Sequence, residues 1–183
     1  KPLSIQEYSH ASMASAYEAG ASDLPFALMR GYQGVDLPKF NHNIKQVICP
    51  FTGEELSAVP AIQPDVSIVH AQKADREGNV LFSGIVGVQK EIILAGNTSI
   101  VTVEEIVEDL NAEINSVIVP GWAIDFVVEA KFGAYPSYAF GYYQRDNEFY
   151  LGWDKISRNR EEFLEWMMKN VINNTVPNGR LFS

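Results

Sequence analysis

The stretch from Asp65 to Val107 constrains the fold more than any other part of the chain, because it alternates element types within a short span. Val66–Ala71 is a β-branched run of the kind that fills a buried strand. Asp75–Gly78 turns the chain, with an Asp to start the turn and a Gly to supply positive φ. Val80–Phe82 begins a second strand, Val86–Ala95 reads as a helix, and Thr98–Val103 reads as a third strand. Trp122–Glu129 forms another after the turn at Pro120-Gly121. Strands alternating with helices predict an α/β domain with a mostly parallel sheet and helices on its faces.

The flanks are read the same way. Ser4–Ala19 is expected to be a helix, with Ser4 and Glu7 spaced as a capping box and Gly20 placed to end it. Leu24–Met29 reads as a short strand. Gly31–Asn43 is rich in Gly, Pro and Asn and reads as a loop. Val47–Val59 is a strand interrupted by a turn at Thr52-Gly53. Phe132–Tyr143 is aromatic and glycine-rich with no clear period. Glu161–Ile172 is an amphipathic helix whose Phe163, Trp166, Met167 and Val171 share one stripe, suited to packing in a core or on a partner. One domain covering residues 1–183 is expected, without internal repeats. The opening at Lys1-Pro2, almost directly into a helix, reads as part of a longer polypeptide.

Composition narrows the function by exclusion. The 183 residues are 46% hydrophobic and 20% charged, as in an ordinary soluble globule. A net charge of −9 argues against nucleic acid as a partner, since neutralising phosphates takes clustered Lys and Arg. No apolar run approaches the length of a membrane helix. The single Cys49 cannot form an internal disulfide and fits a reducing compartment, so cytoplasm is the expected location. Asn97-Thr98-Ser99 and Asn173-Asn174-Thr175 match the glycosylation pattern, but without a secretion signal they are read as chance.

The residues exclude several chemistries and leave one region of interest. His10, His42 and His70 show no metal spacing, and no metal site or resident cofactor is expected. There is no Gly-x-Ser-x-Gly elbow, P-loop or dinucleotide fingerprint. Glu104-Glu105 invites a two-carboxylate mechanism, but neighbours on a strand point to opposite faces and cannot form a facing dyad. One faces the crevice at the C-terminal ends of the strands and the other meets solvent or a helix; Glu105 is assigned to the crevice. Asp75-x-x-Gly78-Asn79 reads first as a plain turn. Its setting between strands adds a second reading, because Asn79, Ser83 and Gln89 are uncharged groups suited to a carboxylate or thioester oxygen. Gly84 beside Ser83 lets backbone approach a ligand closely.

Lys73-Ala74-Asp75-x-x-Gly78-Asn79, Val101-x-Val103-Glu104-Glu105-Ile106-Val107 and Val119-Pro120-Gly121-x-x-x-Asp125, in that order, resemble the α (A) subunit of family I CoA-transferases. Phe132-Gly133-Ala134-Tyr135-Pro136-Ser137, then Gly141-Tyr142-Tyr143-x-x-Asp146 and Phe149-Tyr150, are similar to the glutaconate CoA-transferase branch. The resemblance runs from about Glu7 to about Val171. It implies the fold shared by ribose-phosphate isomerase and CoA-transferases, with a coenzyme A thioester as substrate rather than cofactor. It also implies a partner B subunit that supplies the nucleophilic glutamate, so no catalytic nucleophile is assigned to this chain. The chain would then form a wall of the acyl pocket with Asn79, Ser83, Gly84, Gln89, Glu105, Phe132, Gly133, Ala134 and Tyr135, and the aromatic loop Phe132–Tyr143 suits either lining that pocket or packing against the partner. Two departures stand out: relatives carry His where this chain has Tyr135, and the glycine-rich segment that opens the family's α chain has no counterpart here. The alternatives are a thioester or ring-cleaving hydrolase on the same fold, or a non-catalytic scaffold subunit.

Overall fold

The computed structural model describes residue 3 and residues 5–112 and 114–173. In chain order the elements are α1 (His10–Ala21), β1 (Phe26–Met29), α2 (Leu37–Phe40), β2 (Lys45–Ile48), β3 (Glu55–Pro60), β4 (Val66–Asp75) and β5 (Val80–Ser83). They continue with α3 (Gln89–Ala95), β6 (Thr98–Val107), β7 (Ser116–Val119), β8 (Phe126–Glu129), α4 (Asn147–Arg158) and α5 (Arg160–Met167). The residues gather into two compact units, and the division falls inside β4 and β6.

The first unit holds a three-stranded antiparallel sheet ordered β1-β3-β2. The expected break at Thr52-Gly53 is a hairpin: Gly53 takes φ 72° and donates its N–H to the Cys49 carbonyl at 2.9 Å. Helix α1 is built of small residues, so Ala16 and Ala19 pack tightly with Ala27, Ile44 and Val59. It begins at Ser9, whose hydroxyl accepts from the Ser12 N–H, and residues 5–9 are not helical. The expected cap at Ser4 lies outside the described residues. Gly20 does not end the helix, which runs to Ala21; a Cβ there would sit 2.2 Å from the Ile62 carbonyl oxygen. Close approach, not termination, is what that glycine supplies.

The five-stranded sheet is ordered β7-β5-β4-β6-β8. At the entry to β4 and β6, the Asn97 and Thr98 N–H groups donate to the Pro64 and Asp65 carbonyls in step, so the two strands start side by side and parallel. Strand β8 follows suit, since Asp125 bonds Ser99 and Ala130 bonds Val103. On the other side β4–β5 and β5–β7 are antiparallel. The α/β class and the helices therefore agree with the sequence reading, whereas the mostly parallel sheet is confined to β4-β6-β8. The reason is loop length: a four-residue turn between β4 and β5 can make only a hairpin, and parallel neighbours need a crossover. Strand β7 is too short and too dependent on pairing with β5 to announce itself in sequence.

In the second unit Ala71, Ala74, Val80, Leu81, Phe82, Val101, Val103 and Val119 are buried. Helix α4, which the sequence reading passes over, is capped by Asp146 accepting from the Phe149 N–H at 2.8 Å. Its Trp153 meets Trp166 of α5 edge-on at 4.7 Å and also packs on Phe163. The expected stripe is thus half used: Val171 remains exposed. Helix α3 is shorter than predicted because Gly87 and Val88 are poor helix formers.

Candidate functional site

The C-terminal end of β6 carries two neighbouring carboxylates in opposite surroundings, both within the second unit. Glu104 is only 4% exposed. Its Oε1 accepts from His70 Nε2 and from the Tyr143 hydroxyl, each at 2.7 Å, and its Oε2 accepts from the Phe132 N–H at 2.8 Å. An ionised carboxylate only accepts, so His70 carries a hydrogen on Nε2, and its Nδ1 meets the Thr102 hydroxyl at 2.8 Å. The Tyr143 hydroxyl also accepts from the Ala134 N–H at 2.9 Å. Burial, reinforced by the bond to Glu104, holds the Tyr143 phenol above its ordinary pKa. Gly133 lies over the imidazole, where a Cβ would come within 2.7 Å of His70 Cε1 and Nδ1.

Glu105 continues the face of Val101 and Val103, where β6 leaves the core, and its side chain is 43% exposed. It lines a pocket of about 360 Å³ with Gln72, Lys73, Ser83, Phe140, Gly141 and Tyr142. Lys73 Nζ stands 3.6 Å from Glu105, and the Tyr142 hydroxyl donates to it at 2.8 Å. Gln72 Oε1 accepts from the Ser83 N–H at 2.9 Å, which fixes the amide beside the pocket. An ammonium, a hydroxyl, an amide and a phenol therefore converge on a space walled by an aromatic ring. Those groups suit a carboxylate or a polarised acyl oxygen.

The expected opposition of Glu104 and Glu105 agrees with this geometry, and Ser83 and Glu105 meet at the pocket. Gly84, next to Ser83, takes φ 86° and lies under Phe140, with a Cβ position 3.0 Å from that ring. Other candidates are placed elsewhere. Asn79 is a fastener: Nδ2 donates to Asp75 at 2.7 Å and Oδ1 accepts from the Gly121 N–H at 2.9 Å. Both ends of its amide are engaged in the turn. Gln89 opens α3 in the first unit, with a buried Oε1 that has no hydrogen-bond partner. Phe132, Gly133 and Ala134 gather around Glu104, and Tyr135 donates its hydroxyl to Asp146 at the start of α4. That bond holds the Tyr135 phenol above and the Asp146 carboxyl below their ordinary values.

The sequence reading includes Phe140, Gly141 and Tyr142 in the aromatic loop it considers for the acyl pocket, but it misses Gln72 and Lys73, which line the same pocket, and it misses His70, Thr102 and Tyr143 as one cluster. Tyr142-Tyr143 stands inside a recognisable motif, but nothing in a linear chain says that successive tyrosines bind successive glutamates. Among the described residues, no group of three or more His, Cys, Asp or Glu could hold a metal, and no helix is long and apolar enough to cross a membrane.

The model of the coenzyme A transferase family matches residues 1–130. The chain is 60% identical over 165 residues to the A subunit of 3-oxoadipate CoA-transferase from Pseudomonas knackmussii, covering 90% of this chain and 58% of that one. It is 35% identical over 179 residues to the A subunit of glutaconate CoA-transferase from Acidaminococcus fermentans, covering 88% and 56%. The crystal structure of glutaconate CoA-transferase from Acidaminococcus fermentans superposes with a TM-score of 0.84 and 30% identity, over 96% of this chain and 61% of that chain. The chain thus spans a little over half the length of these relatives. By the model matched over residues 1–130, the chain belongs to the coenzyme A transferase family.

Proposed function

We propose that this chain acts as the α subunit of a heteromeric CoA-transferase that moves CoA between a short acyl-CoA, dicarboxylic in character, and a carboxylic acid. The observation that carries the reading is the pocket beside Glu105, in a chain 60% identical to a 3-oxoadipate CoA-transferase subunit. Lys73, Ser83 and the Gln72 amide offer the positive charge and donors that an acidic acyl group requires.

The chemistry balances without a nucleophile from this chain. A glutamate supplied by the partner subunit, whose carboxylate is the nucleophile, attacks the thioester carbonyl; the C–S bond breaks, and CoA leaves as thiolate from an acyl-glutamyl anhydride. The thiolate then attacks the glutamyl carbonyl and releases the first acid as its carboxylate. The acceptor carboxylate repeats the two steps in reverse and leaves with CoA. Each tetrahedral step places negative charge on an acyl oxygen, and Lys73 and Ser83 are suited to stabilise it. Glu104 is unsuited to attack, because three donors already share its charge.

The test is the natural full-length polypeptide in its native assembly, given acetyl-CoA or succinyl-CoA with 3-oxoadipate or glutaconate. CoA should move to the acid, and Ser83→Ala should lower kcat/KM by about tenfold, the worth of one charge-assisted hydrogen bond. Thioester loss that is independent of the acid would make the protein a hydrolase. A trapped glutamyl-CoA adduct on Glu104 or Glu105 would overturn the assignment of the nucleophile to the partner.

A further inference from the structure

We infer that Glu104 is a positioning residue: its buried carboxylate clasps residues 130–143 and thereby holds Phe140, Gly141 and Tyr142 as a wall of the pocket. The kinetic consequence rests on reading that pocket as the acyl site.

The geometry is a two-rung clasp. Tyr142 donates to Glu105 at 2.8 Å and Tyr143 to Glu104 at 2.7 Å, so consecutive tyrosines are held by consecutive carboxylates. The rung at Glu105 is open to solvent and the rung at Glu104 is buried. A second strand of the clasp is the Phe132 N–H on Glu104 Oε2. Phe132 sits at φ 61°, a conformation that a bulky residue adopts only when its surroundings hold it there. Its ring stacks on Tyr143 with centroids 4.9 Å apart, so both ends of the segment meet above the same carboxylate.

The backbone ties the segment to its surroundings near its start, where the Ala130 N–H donates to the Val103 carbonyl of β6, and at Pro136, whose carbonyl accepts from the Asp146 N–H; the other backbone bonds are local, Gly133 to Ala130, Tyr135 to Phe132, Ser137 to Ala134, and Ala139 with Tyr142 and Tyr143. Turns of this kind do not fix where a loop lies relative to a sheet. Past Ala130, Glu104 does so by a chain of side-chain bonds: Thr102 and His70 orient the carboxylate, and the carboxylate orients Tyr143 and Phe132. Tyr143 passes the constraint on to the Ala134 N–H and, through the Ala139 bridge, to Phe140 over Gly84.

The chemistry also sets which substitution preserves the clasp. Glutamine at this position keeps one acceptor oxygen for Phe132. Its NH2 can be met by a reversed His70 tautomer and by a turned Tyr143 hydroxyl. Alanine offers nothing to any of the three.

The experiment uses the full-length polypeptide in its native assembly and reads two quantities: amide hydrogen exchange along the chain, and the kinetics of acyl transfer from acetyl-CoA or succinyl-CoA. Glu104→Ala should speed exchange in residues 130–143 by at least about tenfold while the buried strands keep their protection, and raise KM for the acid more than it lowers kcat. Glu104→Gln should restore most of both. Tyr143→Phe, which keeps the aromatic packing, should loosen the same segment and carries the test if Glu104→Ala fails to fold. Unchanged exchange in residues 130–143, or an equal rise across the whole chain, overturns the clasp. A loosened segment with unchanged KM and kcat leaves the clasp standing and overturns the acyl-pocket reading instead.

Discussion

The two sides of β6 at its C-terminal end differ in nearly every respect except sequence position. On the closed side, Glu104 is buried and met by an imidazole, a phenol and a backbone N–H. On the open side, Glu105 is half exposed, bonded to a phenol and paired with Lys73 at 3.6 Å in a setting open to solvent. The same side chain, one residue along, changes from an organiser of backbone to a lining group of a pocket. The difference comes from what lies over each face: residues 130–143 cover the closed face and stop at the rim of the open one. A carboxylate's role is set by its donors and its burial, and neither is a property of the residue alone.

The largest predicted effect tests that contrast directly. Glu104→Leu leaves His70, Tyr143 and the Phe132 N–H without their acceptor, and each buried orphan donor costs about 1–3 kcal/mol. A loss of about 3 kcal/mol or more is expected in denaturant unfolding. Glu105→Leu breaks an exposed pair and should change stability by no more than about 1 kcal/mol, while still lowering acyl transfer. Equal stability losses would erase the distinction between the two sides.

A smaller effect is expected at the glycines of the covering segment. Gly133→Ala drives a methyl to within 2.7 Å of the His70 ring and 2.8 Å of the Ala130 carbonyl oxygen. The carbonyl belongs to the backbone and cannot rotate away, so a loss of about 2 kcal/mol should appear as a lowered Tm. Gly141, on the open side, has nothing within 4 Å of a Cβ position, but its φ of 84° strains any other residue. Gly141→Ala should cost only about 1 kcal/mol. A reversed order would show that the closed side is the looser one.

How much of this is legible in the sequence follows from how local each signal is. The alternation in Asp65–Val107 sets the strands, because burial pattern and β-branching act residue by residue. The turn Asp75–Asn79 is legible for the same reason: Asp75 accepts from the Glu77 and Asn79 N–H groups, and Gly78 takes φ 84°. The function of Asn79 is not legible, because its partner Gly121 lies far along the chain. Glu104 is hidden by the alternation itself. It shares a face with Thr102, which is only partly buried, and nothing local says that a loop will cover it. Spacing along the chain weighs His70 only as a metal ligand, and its role depends on Glu104 across the β4–β6 pair. The aromatic segment Phe132–Tyr143 stands out by its lack of period. Its division into a half that grips and a half that lines the pocket comes from hydrogen bonds between residues distant in sequence.

The smallest effect lies at alkaline pH and sharpens the closed side by itself. Burial comes first, and the bond to Glu104 second, in holding the Tyr143 phenol above its ordinary value. A group with a raised folded pKa contributes stability that is fully present below its unfolded pKa, about 10 for a phenol, and is lost as pH rises through the folded value. Wild-type stability should therefore decline from about pH 10 upward. Tyr143→Phe should begin less stable near pH 8, since Glu104 and the Ala134 N–H each lose a partner, but decline less steeply. Tyr135, raised by its bond to Asp146, declines in the same direction and is present in both proteins, so it cancels in the comparison. Urea midpoints at pH 8 and 11 give the answer. A gap that narrows with pH places the ionisation of Tyr143 in the buried clasp, and a gap that stays constant would mean that its hydroxyl reaches water as freely as one on the open side.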